Sequence, residues 1–480
     1  MKILVVGASG YIGSHLVPLL AADGHHVRAA ARRTDVLEAR AWEGVELAAA
    51  DVLEPESLVR ALEGVDVAYY LVHSMGGGRG FASRDKQAAR NFREAAAAAG
   101  VQRIIYLGGL RPVGVTSEHL ASRLETGDVL REGTVPVTEL RAGLIVGAGS
   151  AGFEVIRDLV NHLPFMVTPR WVESRTQAIA LDDLLAYLVG LLEHPETAGQ
   201  TYDVCGPERL RYRDLLAGYA RVVGKTYRAL QVPFLTPTLS SYWLGLVTAV
   251  PPSVARPLIE GLRSDLVGDD TALRAVLPIP LHTYEEAVRA ALESERGDPL
   301  PARWAEGALA FRGYDPDTSF YSKGESATND ADVPAEWLWQ VVTSIGGKNG
   351  YYYADRLWWL RGAFDRAIGG VGLRRGRRHP TDVRVGDAID FWRVVAVQPG
   401  ERLTLVAEMR LPGTAVLEFE VQARDEGHSR LIMNARFHPT GIWGLLYWYT
   451  LVPAHGFIFR RMPRNMVRAA EEAARLAASG

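Results

Sequence analysis

Two fold classes follow one another in this sequence: an α/β doubly wound parallel sheet, then an α+β unit with a curved antiparallel sheet. Three observations predict them. Short apolar, often β-branched runs alternate with amphipathic stretches over residues 1–146. A glycine-spaced turn, GASGYIG, joins the first of those runs to the first helical stretch. Beyond residue 383 the pattern changes to period-two alternation, the mark of an antiparallel sheet with one dry face.

The predicted parallel strands are Lys2–Val6, His26–Ala31, Val45–Ala49, Val67–Val72, Arg103–Leu107 and Val137–Leu140. Each is short and apolar, as a strand buried on both faces must be. The helical stretches between them are Gly13–Ala22, Glu56–Leu62, Arg84–Ala99 and Arg123–Glu132. Strand–helix alternation of this kind winds a parallel sheet. Residues 150–300 are mixed, with Pro-rich joints, and the segment 296–320 has Pro and Gly breaks without a sustained period. The domains are therefore read as 1–305 and 318–480. In the second, residues 335–368 are Trp-rich helices and residues 383–438 a meander. Leu403 and Leu405, Leu417 and Phe419, and Leu431 and Met433 face one way, while Thr404, Glu418 and Arg430 face the other. A closing helix can cover the dry face.

Composition narrows the function. The 480 residues carry 53 Lys+Arg and 56 Asp+Glu, a net charge of −3, which argues against a nucleic-acid binder. The single cysteine, Cys205, excludes an internal disulfide and Cys-rich metal sites. It suits a reducing compartment, read as the cytoplasm, and is itself read as a buried, inert thiol. No metal-ligand spacing occurs around the histidines. The start of the chain is read as strand and turn, not as a signal peptide. Ile442–Phe459 is nearly free of charge but holds Pro453, His455 and two glycines, so it is read as a buried or interfacial helix.

The glycine turn carries specific chemistry. Gly7 permits the tight turn, Gly10 lets the backbone approach a pyrophosphate, and Gly13 allows close helix–sheet contact. The N–H groups around Ser9, Tyr11 and Ile12 then face the phosphates at a helix N-terminus. The second strand ends in Arg32 and Arg33, where a guanidinium suits a 2′-phosphate, so the cofactor is read as NADP, with NAD as the alternative. Asp51 and Val52 follow the third strand. Asp51 is read either as an adenine contact or as a cap for the next helix. Leu71, Val72, His73 and Ser74 end the fourth strand at the ligand crevice.

These blocks, with RIIYLGGL, PVTELRAGLIVG and TYDVCGPERLRYRDLL, resemble the extended and atypical short-chain dehydrogenase/reductases. Among them the chain is most similar to the NmrA-like and sugar-epimerase-like branches, over about residues 1–300. The resemblance implies a Rossmann fold with a small substrate-binding portion. It also implies a Ser after the fifth strand and a Tyr four residues before a Lys. Here the strand ends in Gly108-Gly109, with His119 at the Tyr position and Arg123 at the Lys position. His119 could act as a general acid, and Arg123 could bind ribose or phosphate but not transfer protons. The other reading is that catalysis is lost. Ser74 is a second donor candidate, whereas Tyr69, Tyr70 and Tyr106 are read as core. The resemblance places Gly109, Arg141, Trp171 and Gln177 along the substrate side.

The second domain resembles helix-grip domains of the START/polyketide-cyclase kind. That architecture implies an apolar cavity, with Trp337, Trp339, Trp358, Trp359, Trp443, Tyr447 and Trp448 as lining or as plain core.

Three function readings remain open. One is an NAD(P)-dependent oxidoreductase acting on a lipophilic carbonyl or quinone-like compound. The second is a non-catalytic NADP(H) sensor or assembly factor of a membrane-associated complex, with peripheral membrane contact through the apolar stretches 229–262 and 442–459. The third is an epimerase or dehydratase with tightly held cofactor. No nucleic-acid partner is expected, and the oligomeric state is not readable.

Overall fold

The structure, a computed structural model, describes residues 1–38, 40–73, 80–114, 116–168, 170–231, 246–248, 250, 260–261, 264–297, 321–372, 379, 381–425 and 427–479. The chain divides into two compact units, Met1–Trp304 and Ala305–Gly480. The segment 298–320 and Ser74 lie outside the described residues, as does most of 229–262.

Unit one is built on strands β1 (Lys2–Val6), β2 (His26–Ala31), β3 (Glu46–Ala49), β4 (Val67–Tyr70), β5 (Arg103–Gly109) and β6 (Val137–Ala142). They alternate with helices α1 (Tyr11–Ala22), α2 (Asp35–Glu38), α3 (Pro55–Leu62), α4 (Phe81–Ala98) and α5 (Glu118–Arg131). Beyond them come β7 (Ile145–Val146), α6 (Ala151–His162), β8 (Met166–Thr168), β9 (Arg175–Thr176), β10 (Ile179–Ala180) and α7 (Leu181–Gly190). Next are β11 (Thr201–Val204), β12 (Leu210–Arg211), α8 (Tyr212–Val222), β13 (Ala229–Gln231), α9 (Thr271–Val276) and α10 (Tyr284–Gly297).

The main sheet has seven strands in the order β11-β6-β5-β4-β1-β2-β3, and every pairing in it is parallel. Apolar cores cover both faces. Ile3, Val5 and Tyr69 pack toward α1 and α7, and Leu4, Val6 and Tyr70 toward α3 and α4. That two-sided burial is why these strands read as continuous apolar runs. Strand order reverses between β1 and β4, which opens a crevice at their carboxyl ends. Cys205 is buried beside Leu110 and Leu266, and burial pushes its thiol up to about 12.

Unit two holds β14 (Lys323–Ala331), α11 (Ala335–Thr343), α12 (Asp355–Ala367), β15 (Ala388–Ile389), β16 (Trp392–Gln398), β17 (Arg402–Ala407), β18 (Gly413–Asp425), β19 (His428–Pro439) and α13 (Gly441–Ser479). Its sheet is antiparallel, six-stranded and ordered β14-β19-β18-β17-β16-β15. Leu405 faces Leu417, which faces Ala435 in the next strand. Those rows form the dry face, against which Met462, Met466 and Ala470 of α13 pack. The alternation predicted three of these strands, β17, β18 and β19. It missed β14, which reads KGESATNDA and has no apolar row. Pairing with β19 over its whole length, not its own side chains, makes it a strand.

The aromatics divide. Trp448 is buried and stacks on Phe437 at 5.8 Å, and Trp358 stacks on Tyr351 at 4.8 Å. Trp337 and Trp339 are partly buried against the same core. Trp359 and Trp443 are instead 60% and 73% exposed, so they line no interior. Among the described residues, no helix is long and apolar enough to cross a membrane.

Candidate functional site

The crevice begins at Gly7. Its φ of +87° is one that L side chains rarely adopt, and a side chain there would press to 3.0 Å on the Leu71 carbonyl. The N–H groups of Gly7 and Ala8 donate to Ala30 O at 3.1 and 3.2 Å, which ties the turn, Ser9 included, to β2. Gly10 is extended at the N-cap of α1, and its N–H donates to Gly7 O at 2.8 Å. A side chain on Gly13 would run into the Gly7 carbonyl oxygen and come within 2.8 Å of Ala8 Cα. So α1 starts as close to β1 as a backbone allows. The N–H groups of Tyr11, Ile12 and Gly13 lie in its first turn, where no intrahelical carbonyl is available. No side chain caps this end. Such a helix start, with glycine at its N-cap, fits a pyrophosphate.

Around the adenosine end, Arg32 and Arg33 follow β2 and are both exposed. Asp51 Oδ1 accepts the Leu53 N–H at 2.9 Å, closing the turn after β3. Asp51 therefore braces a turn and does not cap α3, whose N-cap is Glu54. Val52 is buried, and its carbonyl accepts from Asn91 at 3.0 Å. Sequence reading passed over Arg40, in the same β2–β3 connection. Burial lowers its pKa to about 10, and its guanidinium lies 5.8 Å from the Trp42 ring. An Arg two positions before a Trp was the available signal.

On the reaction side, Leu71, Val72 and His73 leave β4. Ser117 caps α5 by accepting the Leu120 N–H at 3.3 Å. His119 and Arg123 then stand one helical turn apart. The His119 ring is 6.1 Å from that of His73 and 6.4 Å from that of Phe81, a neighbour with no sequence signal. His119 is buried, and burial, then the Arg123 charge, pushes its pKa down to about 4. His73 keeps an exposed face toward the crevice, yet surrounding protein, then Arg123 and His119, also push it down. Near neutral pH, His119 is thus an uncharged imidazole and not the imidazolium acid its ordinary pKa suggests.

Arg123 is anchored. Its Nη2 donates to Leu107 O at 3.0 Å and to Gly108 O at 2.9 Å, while its own carbonyl accepts from the Tyr106 hydroxyl at 2.8 Å. A side chain at Gly109 would meet Leu120 at 3.4 Å and Arg123 Nε at 3.6 Å. These are ordinary contact distances, so α5 lies against the strand end without itself requiring glycine there, whereas a side chain at Gly108 would press to 2.8 Å on the Glu139 carboxylate.

Two residues expected on the substrate side are committed elsewhere. Arg141 donates to both oxygens of Glu139, at 3.1 and 3.2 Å. Glu139 is fully buried and also takes Arg131 of α5. Gln177 is buried, accepting from the Gly268 N–H at 3.0 Å and donating to Gly206 O at 3.4 Å. Both side chains join segments of the fold. Trp171 lies in a short 3₁₀ turn, Arg170–Glu173, and its side chain is outside the described residues. The crevice thus brings together the glycine turn, Leu71–His73, His119, Arg123 and Gly109.

A parallel sheet with this glycine turn at its switch point has the NAD(P)-binding reductase/epimerase-like fold. Residues 1–239 match the profile described as the NmrA-like family, so the N-terminal unit is similar to that family. Residues 318–462 match a family described as a protein of unknown function. The ceramide reductase of Caulobacter vibrioides is 26% identical over 233 residues, 48% of this chain and 73% of that protein. The triphenylmethane reductase of a Citrobacter species matches with a TM-score of 0.51 at 20% identity, covering 61% of this chain and all of that one. An NADPH-dependent quinone oxidoreductase of Escherichia coli, solved with NADPH, has a TM-score of 0.50 at 20% identity, covering 60% of this chain and 99% of that one.

Proposed function

We propose that this protein is an NADP-dependent reductase of a lipophilic carbonyl or quinone-like compound. The observation that carries the reading is the glycine turn at the switch point with the His119–Arg123 pair beside it. Gly7, Gly10 and Gly13 would hold the pyrophosphate, and Arg32 and Arg33 the 2′-phosphate that distinguishes NADP from NAD. Such a cofactor supplies hydride transfer when bound. The chain's own part is to orient the carbonyl and stabilise the charge that grows on its oxygen. His119 does this as a neutral imidazole, donating one ring N–H to that oxygen. Arg123 supplies a fixed positive charge, held in place by the carbonyls of Leu107 and Gly108. The ceramide reductase relative is named for a lipid, which supports a lipophilic substrate.

The test follows NADPH consumption with long-chain ketones and quinones. Turnover should fall on the order of a hundredfold in His119→Ala. Turnover of every accepted substrate unchanged in that variant removes His119 from the mechanism. A second reading, a non-catalytic NADP(H) sensor, is favoured by one observation: the family's Ser, Tyr and Lys are all absent. It predicts NADPH binding without consumption for any carbonyl.

A further inference from the structure

The second unit displays an apolar face that its own core does not use. On α12, Leu357, Leu360 and Phe364, with Ile368 just past its end, recur at helical spacing on one stripe, each 41–60% exposed, with Trp359 beside them. On α13, Trp443, Leu446 and Phe457 form a second stripe, exposed by 73%, 52% and 63%. Arg361 links the two helices. Its Nε donates to the Tyr447 hydroxyl of α13 at 3.3 Å, and its guanidinium lies 5.9 Å from the rings of both Phe364 and Tyr447. Isolated exposed apolar residues need no explanation, but adjoining rows of Trp, Phe and Leu do.

Charge indicates what covers them. The α13 stripe continues from Phe457 into Arg461, Arg464 and Arg468, with Arg460 alongside, and all four are exposed. From residue 441 to residue 468 the sequence contains no Asp or Glu. Of the two aspartates of α12, Asp365 is buried, accepting the N–H groups of Gly372 and Arg410, and Asp355 accepts the Tyr351 N–H at 2.8 Å, so only Asp355 stands against the exposed Arg356 and Arg366. An apolar strip bordered by arginines complements acyl chains beneath anionic headgroups, with Trp at the boundary. A protein partner would have to present an acidic rim around an apolar centre to match as well.

We infer that α12 and the first two-thirds of α13 form a docking face for an anionic phospholipid surface, lying on the membrane and not crossing it. The inference does not depend on the reductase reading. Apolar side chains would enter the headgroup boundary while Arg460, Arg461, Arg464 and Arg468 pair with phosphates.

Co-sedimentation of the full chain with vesicles tests it. Phosphatidylcholine vesicles containing phosphatidylglycerol should bind at least about tenfold more tightly than phosphatidylcholine alone. Raising the salt concentration should weaken that binding. Phe364→Glu with Trp443→Glu should abolish it without changing thermal unfolding, because both side chains are exposed. Arg461→Gln and Arg464→Gln should each weaken binding about fivefold. Binding to neither vesicle, or equal binding by the Glu variant, overturns the inference. So does a dimer that the Glu variant dissociates in the absence of vesicle binding, since the face would then belong to a second copy of the chain.

Discussion

A methyl group at Gly13 has nowhere to go, because the Gly7 carbonyl oxygen and Ala8 Cα already fill its place. Gly13→Ala should therefore force α1 away from β1, abolish NADPH binding, and destabilise unit one by about 1–3 kcal/mol. Calorimetry and urea unfolding read the two effects separately. His119 gives a pH prediction of a different kind. Its pKa near 4 leaves it neutral throughout the ordinary range, so kcat/KM should show no ionisation from this group between about pH 5.5 and 8. An inflection near 6.5 that disappears in His119→Ala would contradict that role. The glycines were legible in sequence because their spacing is itself the geometry. The commitments of Arg141 and Gln177 were not, since their expected place came from a resemblance and not from partners visible in the sequence. One part was within reach: Glu139 and Arg141 lie two apart on one strand and so on one face, the simplest ion-pair arrangement in a sheet.

Helix α5 is held against the sheet by a polar clamp. Glu139 on β6 is buried under Arg131 of α5 and Arg141. Side chains at Gly108 and Gly127 would each come within 2.8 Å of its carboxylate. Glu139→Ala leaves Arg141 without its carboxylate and Arg131 with Asp128 alone. Both are partly exposed, so the cost should be about 2 kcal/mol, below that of a fully buried pair. His119 should shift with the helix, and NADPH turnover should fall together with stability in urea unfolding. Elements were legible in proportion to how far their own residues determine them. Strands β1, β2 and β6 bury both faces and read as apolar runs. β14 is a strand because β19 offers it a full edge, a fact absent from its nine residues. The final helix passes through Pro453 and Pro463. Each removes one backbone hydrogen bond, yet Met462, Met466 and Ala470 are fully buried and bind the helix to the sheet.

Across the molecule, histidines in protected settings link stability to pH. His119 and His455 are both held near 4 by burial, against an ordinary value of 6.5. Between about pH 6.5 and 4 the unfolded chain binds protons that the folded chain does not, so stability is greatest above 6.5 and falls as the pH drops toward 4. Thermal melting at stepped pH values should show this decline, smaller in His119→Gln. The two-part architecture was legible because the hydrophobic period changes from runs to alternation within one chain. The exposed face of α12 was not, since an aromatic at helical spacing reads the same whether it faces core or solvent, whereas the charge-poor stretch 442–459 of α13 already reads as a buried or interfacial helix. The proposed function requires the crevice to hold NADPH, and calorimetric titration of the full chain tests that most directly. It predicts one NADPH per chain, bound at least about tenfold more tightly than NADH, a preference worth roughly 1.4 kcal/mol. Arg32→Ala with Arg33→Ala should remove that preference and leave NADH binding intact. Absence of NADPH binding, or equal affinity for the two nucleotides, would contradict it.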